Sequence, residues 1–234
     1  NYKKVGKSGI VGGIGLGIAM ISFIYSITNT TAAITLLCLA AMPFFTALLA
    51  FLFLKEKISF NVWISMLIAT VGIIIMAFGN TEKNSLIGFV FGLTSSIGFS
   101  IFSVSLRWRK ETPKFTTVAV AGLFCFVTAT IMILMNNQPF FATSFNSAMF
   151  SLHGIIVCLG LILYSIGSKA IQAAELTLLS LTEVIGGIFW VWLPLFGINE
   201  IPSTNTVVGG FFLFVSLIYY SLIMRWNKRY IALN

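Results

Sequence analysis

Eight apolar runs divide this 234-residue chain, at roughly 9–28, 31–54, 60–79, 86–106, 115–135, 149–168, 174–196 and 206–224. Each is close to the ~20 residues an α-helix needs to cross ~30 Å of hydrocarbon. None has the alternating polarity of a barrel wall. Apolar residues make up 58% of the chain and charged residues 9%, with a mean hydropathy of +1.01. A soluble domain carries about 25% charged residues, so most of this surface cannot face water. The expected fold class is all-α, a polytopic transmembrane helical bundle of eight spans.

An even number of spans puts both termini on one side. On that side fall Lys3, Lys4, Lys7, Lys55, Lys57, Arg107, Arg109, Lys110, Lys114, Lys169, Arg225, Lys228 and Arg229, against Lys83 on the other. The positive-inside rule makes the rich side cytoplasmic, so the expected location is the cytoplasmic membrane with both termini inside. The net charge of +8 then sits in short loops. It suits anionic lipid heads and offers no basic, aromatic-interleaved surface for nucleic acid.

Cys38, Cys125 and Cys158 all lie within spans and form no CxxC pair. They read as small packing residues, without a disulfide framework or metal site. The first run lacks a small-residue cleavage site and leads into a second span after Asn29-Thr30-Thr31, unlike a signal peptide. The sequence opens at Asn1 rather than methionine, as expected of a chain missing its beginning.

Two stretches read as versions of one another. One runs from Pro43 through Phe53 to Glu56 and Ser59; the other runs from Glu183 through Trp190 to Glu200 and Ser203. Each is a long apolar run closed by a glutamate and, three residues later, a serine. The first copy ends the second span and the second ends the seventh. Five spans lie between equivalent points, and an odd number turns the copies upside down relative to each other, as in many transporters. Loop charge agrees, placing Glu56 at a cytoplasmic end and Glu200 at an outer one.

The run Thr31-Ala-Ala-Ile-Thr-Leu-Leu, then Pro43 to Phe53, then Lys55-Glu56-Lys57-Ile58-Ser59 resembles the first-half signature of the drug/metabolite transporter superfamily, EamA type. The run Ala173-Ala-Glu175 to Glu183, then Trp190-Val-Trp-Leu193, then Asn199-Glu200-Ile-Pro-Ser203 resembles its second-half signature. The resemblance implies ten spans as two inverted five-span repeats. Here residues 1–80 would be three spans of the first repeat and 81–234 the five spans of the second. The two absent spans would precede Lys3, and Pro194-Leu-Phe-Gly197 would be an extra stretch.

Chemistry is constrained by what is scarce. The chain has no aspartate and one histidine. An intramembrane aspartyl protease needs two aspartates, a metalloprotease needs two or three good ligands, and no Gly-x-Ser-x-Gly elbow appears. An enzyme is not expected, and no cofactor is called for.

Glu183 lies near the middle of run 174–196, where an acidic side chain costs ~2.5–3.5 kcal/mol on insertion scales. At helical spacing it shares a face with Leu179, Ser180, Gly186, Gly187 and Trp190, a mixture suited to a cavity wall. It reads as a substrate or proton site, or alternatively as a helix-packing glutamate. The resemblance implies a frequent glutamate of the family at this position.

Further candidate lining residues are Ser180, Trp190, Tyr164, Thr35 and Tyr25. His153 and Glu175 are candidates for gating or relay, or else a satisfied polar residue and a boundary residue. Polar stripes occur at Ser22, Tyr25 and Ser26; at Thr35, Cys38, Met42 and Thr46; and at Ser96, Ser100 and Ser103. Hydroxyls in spans line pathways but also glue helices together, and packing is favoured for each stripe alone. Gly9, Gly13 and Gly17, and Gly88 and Gly92, repeat every four residues. They predict close helix packing rather than a nucleotide loop, since no strand precedes them.

The expected function is a secondary transporter moving a small organic metabolite, such as an amino acid or amine, by alternating access around a midplane cavity. Partners are a small-molecule solute and the lipid bilayer, with a proton gradient or the solute's own gradient as the driving force; coupling ion and oligomeric state are unreadable. Export is the commoner role that the resemblance implies. A channel or receptor-like membrane protein is the alternative.

Overall fold

The computed structural model describes residues 6–55, 60–77, 86–108, 114–140, 142–168 and 203–232, with positions 173, 176, 177, 180, 183, 186 and 187. Among them every regular element is an α-helix. These are α1 (Gly6–Asn29), α2 (Ala32–Leu39), α3 (Met42–Leu54), α4 (Phe60–Ala77), α5 (Leu86–Trp108), α6 (Lys114–Met135), α7 (Ser144–Gly167) and α8 (Thr204–Ala232). Six stretches are long and apolar enough to cross a membrane: Gly6–Asn29, Ala32–Leu54, Leu86–Trp108, Phe115–Met135, Ser144–Gly167 and Thr204–Ile223. In the third apolar run a shorter apolar helix, Trp63–Ile75, is found. The seventh run lies mostly outside the described residues.

The second run differs from the uninterrupted span expected of it, because α2 gives way to α3 at Ala40–Ala41. Proline at position 43 has no N–H, so the Leu39 carbonyl loses its helical donor. The backbone tightens to compensate: Ala41 N–H donates to the Cys38 carbonyl at 3.1 Å and Phe44 N–H to the Ala41 carbonyl at 3.1 Å. Other ends follow local rules. The Thr31 hydroxyl caps α2 by accepting from Ile34 N–H at 3.3 Å. Lys55 ends α3 in a left-handed conformation, φ 54°.

In lipid, helices attract through close van der Waals contact and hydrogen bonds rather than apolar burial. The glycines of α1 supply the contact. A Cβ on Gly15 would lie 3.0 Å from the Gly98 carbonyl of α5, and one on Gly98 would lie 2.6 Å from the Gly15 carbonyl. Gly13 and Gly17 fit against Val120 and Phe124 of α6. Gly92 abuts Cys38, and Gly88 abuts Asn29 and Thr30. The expected close packing is therefore present at Gly13, Gly17, Gly88 and Gly92. Ser95 adds a hydroxyl donated to the Ala19 carbonyl at 2.9 Å.

Two apolar cores result, and α5 belongs to both. One joins Ile34, Leu37 and Phe44 to Ala69, Phe89, Leu213 and Leu217. The other joins Leu16 to Phe102, Leu106, Val118 and Ala121, with Leu161 and Tyr164 of α7 packed against it. Helix α4 packs chiefly on α8. There Ser216 donates its hydroxyl to the Ser65 carbonyl at 2.6 Å, and a Cβ on Gly72 would lie 2.6 Å from the Gly209 carbonyl. The pairing of 65 with 216 and 72 with 209 makes this seam antiparallel.

Candidate functional site

The second span occupies the middle of the bundle, and each face of α2 meets a different neighbour. Thr35 turns to α1, Leu36 to Gly187, Leu37 to Gly210 of α8, and Cys38 to Gly92 of α5. Thr35 is fully buried. Its hydroxyl donates to the Thr31 carbonyl at 3.2 Å and, since one hydroxyl has one hydrogen, accepts from Ser26 at 2.8 Å. Tyr25, beside Ser26, is half-buried. Its hydroxyl points to the Met132 sulfur at 3.6 Å and its ring lies 5.2 Å from that of Phe91.

Glu183 is exposed, and its N–H donates to the Ser180 carbonyl at 3.0 Å. The Ser180 hydroxyl donates in turn to the Thr177 carbonyl at 2.7 Å. Three residues beyond Glu183, a Cβ on Gly186 would meet nothing within 4 Å, whereas one on Gly187 would lie 2.9 Å from Leu36. Gly187 is thus laid against Leu36 of the helix bearing Thr35, while Gly186 and the exposed Glu183 stand open.

Tyr164 belongs to a separate group. Its hydroxyl and that of Ser103 are 2.7 Å apart, and its ring packs 5.1 Å from Phe99 and 5.8 Å from Phe102. His153 is exposed on α7. Glu175 and Trp190, with Glu56 and Glu200, lie outside the described residues. The expected set therefore divides. Thr35 meets α1 through Ser26, Tyr25 meets α5 and α6 through Phe91 and Met132, and Tyr164 lies with α5.

A column of hydroxyls runs along α5. Ser96 donates to the Cys38 carbonyl, Ser100 shares its hydrogen between the Met42 carbonyl at 3.1 Å and the Ser96 carbonyl at 2.8 Å, and Ser103 donates to the Phe99 carbonyl at 2.9 Å. Ser96 and Ser100 are fully buried and address carbonyls on either side of the interruption at Ala40–Ala41. Their spacing along one face was legible as a stripe. Their acceptors were not, because carbonyl positions follow from the interruption. Cys38 and Cys125 are likewise engaged, with the Phe89 and Gly17 carbonyls, whereas Cys158 is exposed. All three thiols are free, and no group of three or more metal-binding side chains occurs among the described residues.

Comparison with known proteins places this geometry in context. Residues 1–78 match the model of the EamA-like transporter family. An uncharacterized transporter of Helicobacter pylori strain J99 is 31% identical over 110 residues, covering 47% of this chain and 36% of that protein. The uncharacterized transporter YdfC of Bacillus subtilis is 29% identical over 212 residues, covering 83% of this chain and 65% of YdfC. The pseudopaline exporter CntI of Pseudomonas aeruginosa is 25% identical over 217 residues, covering 89% and 72%. The matched part of this chain thus spans about a third of the first relative and under two thirds of YdfC. One solved crystal structure shares the fold, with a TM-score of 0.59 at 20% identity, covering 92% of this chain and 75% of that one.

Proposed function

We propose that this chain is an EamA-type member of the drug/metabolite transporter superfamily, a permease exporting a small organic metabolite, an amine or amino acid, across the cytoplasmic membrane. The relative CntI is named as an exporter. The cargo's ammonium pairs with Glu183, or a proton is exchanged for it there. One observation carries the reading: Glu183, which the sequence places near the middle of an apolar run, is exposed beside an open Gly186 while the adjoining Gly187 is closed against Leu36. An acidic group in a span is costly unless it faces a cavity or a partner.

The frame proposed for this site is a pair of inverted repeats, residues 1–80 and 81–234, with two further spans preceding Lys3 and both termini cytoplasmic. The α4–α8 seam supports it. Glu200 follows Glu56 by 144 residues, and Gly209 follows Ser65, and Ser216 follows Gly72, by the same 144. Alternating access would rock the two halves around the Glu183 face.

Flux of amines and amino acids into proteoliposomes, measured across pH with wild type and Glu183→Gln, tests the proposal. Saturable flux that collapses in the variant is expected; a variant with wild-type flux and pH dependence overturns it.

A further inference from the structure

Thr46 lies on α3 one turn after Met42, is fully buried, and its hydroxyl has no hydrogen-bond partner among the described residues. Thr117 on α6 shares that state, but a helical threonine's hydroxyl can donate to the carbonyl four residues back. Thr70, Thr94 and Thr128 do so here, at 2.8, 2.8 and 2.9 Å. For Thr46 that carbonyl is Met42 O, and it is already taken. Its two lone pairs serve the helical N–H of Thr46 and the hydroxyl of Ser100, 3.1 Å away on α5.

Ser100 also has an alternative. Its single hydrogen is shared with the Ser96 carbonyl, four residues back on its own helix, at 2.8 Å. If α3 draws away from α5, Ser100 keeps Ser96 and Thr46 gains Met42. The hydrogen bond across the helices is replaced by one within α3, and no hydroxyl is left unpaired. The chain between Cys38 and Met42 can accommodate such a movement, since Pro43 has removed a backbone bond there and Ala40 and Ala41 carry no bulky side chain.

We propose that the α2–α3 interruption is a hinge with two settings, fixed by exchange of one acceptor, the Met42 carbonyl, between Ser100 of α5 and Thr46 of α3. Ser96, bonded to Cys38 on the other side of the interruption, holds α2 in place while α3 moves. Ser100 and Thr46 are then positioning residues for the proposed transport cycle. Discrete alternative pairings of this kind are what turn a packed interface into a two-state element rather than a compliant one. Only the use of the hinge rests on the transport reading; the exchange itself does not.

The test is a distance distribution by pulsed electron paramagnetic resonance in lipid nanodiscs. Spin labels are attached at Leu52→Cys on α3 and Trp108→Cys on α5, both exposed, with the three native cysteines replaced by alanine. Two components are expected, the shorter matching the arrangement described. Thr46→Val removes the hydroxyl that rewards separation and leaves Ser100 its partner. It should lower the ratio of separated to closed populations about twofold to tenfold, the range set by one hydrogen bond. In a Ser100→Ala background Thr46 can bond Met42 in either setting, so the same substitution should leave the ratio unchanged. Thr46→Ser, which keeps the hydroxyl, should match the parent. An equal shift in both backgrounds, a shift only with Ser100→Ala, or a single unvarying distance overturns the proposal. Because no cargo is needed, exchange without flux would fail the transport reading alone, and flux without exchange would fail this one.

Discussion

Ser216 donates its hydroxyl to the Ser65 carbonyl at 2.6 Å, and the residues displaced by 144 from these two, Gly72 and Gly209, meet on the same seam. Exchanging α4 for α8 at that displacement returns the same two contacts. An axis lying between the helices would produce this relation, with both glycines at the place where backbones approach and both serines at the place where a hydroxyl bridges.

The two contacts of that seam should differ in cost. A Cβ at Gly72 meets backbone, which cannot rotate aside, so Gly72→Ala should destabilise by about 1–3 kcal/mol. Ser216→Ala removes one interhelical hydrogen bond, worth ~0.6–1.7 kcal/mol. Thermal unfolding in detergent should rank the glycine variant as the less stable; the reverse order would mean that backbone contact does not set the seam.

Glycines in spans should separate into two classes. A Cβ on Gly13 would lie 2.5 Å from Val120, whereas one on Gly122 would meet nothing within 4 Å. Gly13→Ala should lower the unfolding temperature clearly. Gly122→Ala should change stability by no more than about 0.5 kcal/mol.

The Ser103–Tyr164 pair should respond asymmetrically. Ser103 spends its hydrogen on the Phe99 carbonyl, so Tyr164 is the donor between the two hydroxyls. Tyr164→Phe leaves Ser103 bonded and should cost about 1 kcal/mol or less. Ser103→Ala strands the phenolic hydroxyl among Phe99 and Phe102 and should cost more, about 1–3 kcal/mol. Paired denaturation curves decide the order.

Orientation is open to labelling. A cysteine at Asn137, in the turn after α6, should react with a membrane-impermeant maleimide added to intact cells. One at Lys55, after α3, should react only once the membrane is opened. Both positions are exposed. The opposite pattern would reverse the topology that the loop charges imply.

Much of the architecture was readable along the chain. The apolar runs foretold most of the spans, and the four-residue glycine rhythm in α1 and α5 foretold close packing. The interruption at Ala40–Ala41 was not foretold, although Pro43 stands beside it, because proline is tolerated in membrane helices when neighbours re-satisfy the backbone. Those neighbours, Ser96 and Ser100, are some 58 residues away from their acceptors. The candidate residues could be named one by one from the sequence, but not their neighbours: that Gly187 approaches Leu36 and that Tyr164 joins Ser103 of α5 depends on how the helices pack.

By itself the sequence determined the class of solvent, the positions of most spans, and the 144-residue displacement between repeated signatures. These are local or additive properties, since run length against bilayer thickness needs no knowledge of neighbours. Tertiary structure alone decided which helix each hydroxyl serves. Ser100 and Thr46 look alike in sequence, two buried hydroxyls on polar stripes. Which of them holds the Met42 carbonyl depends on how closely α3 lies against α5, and in lipid that distance is set by contacts between spans and not by their hydrophobicity.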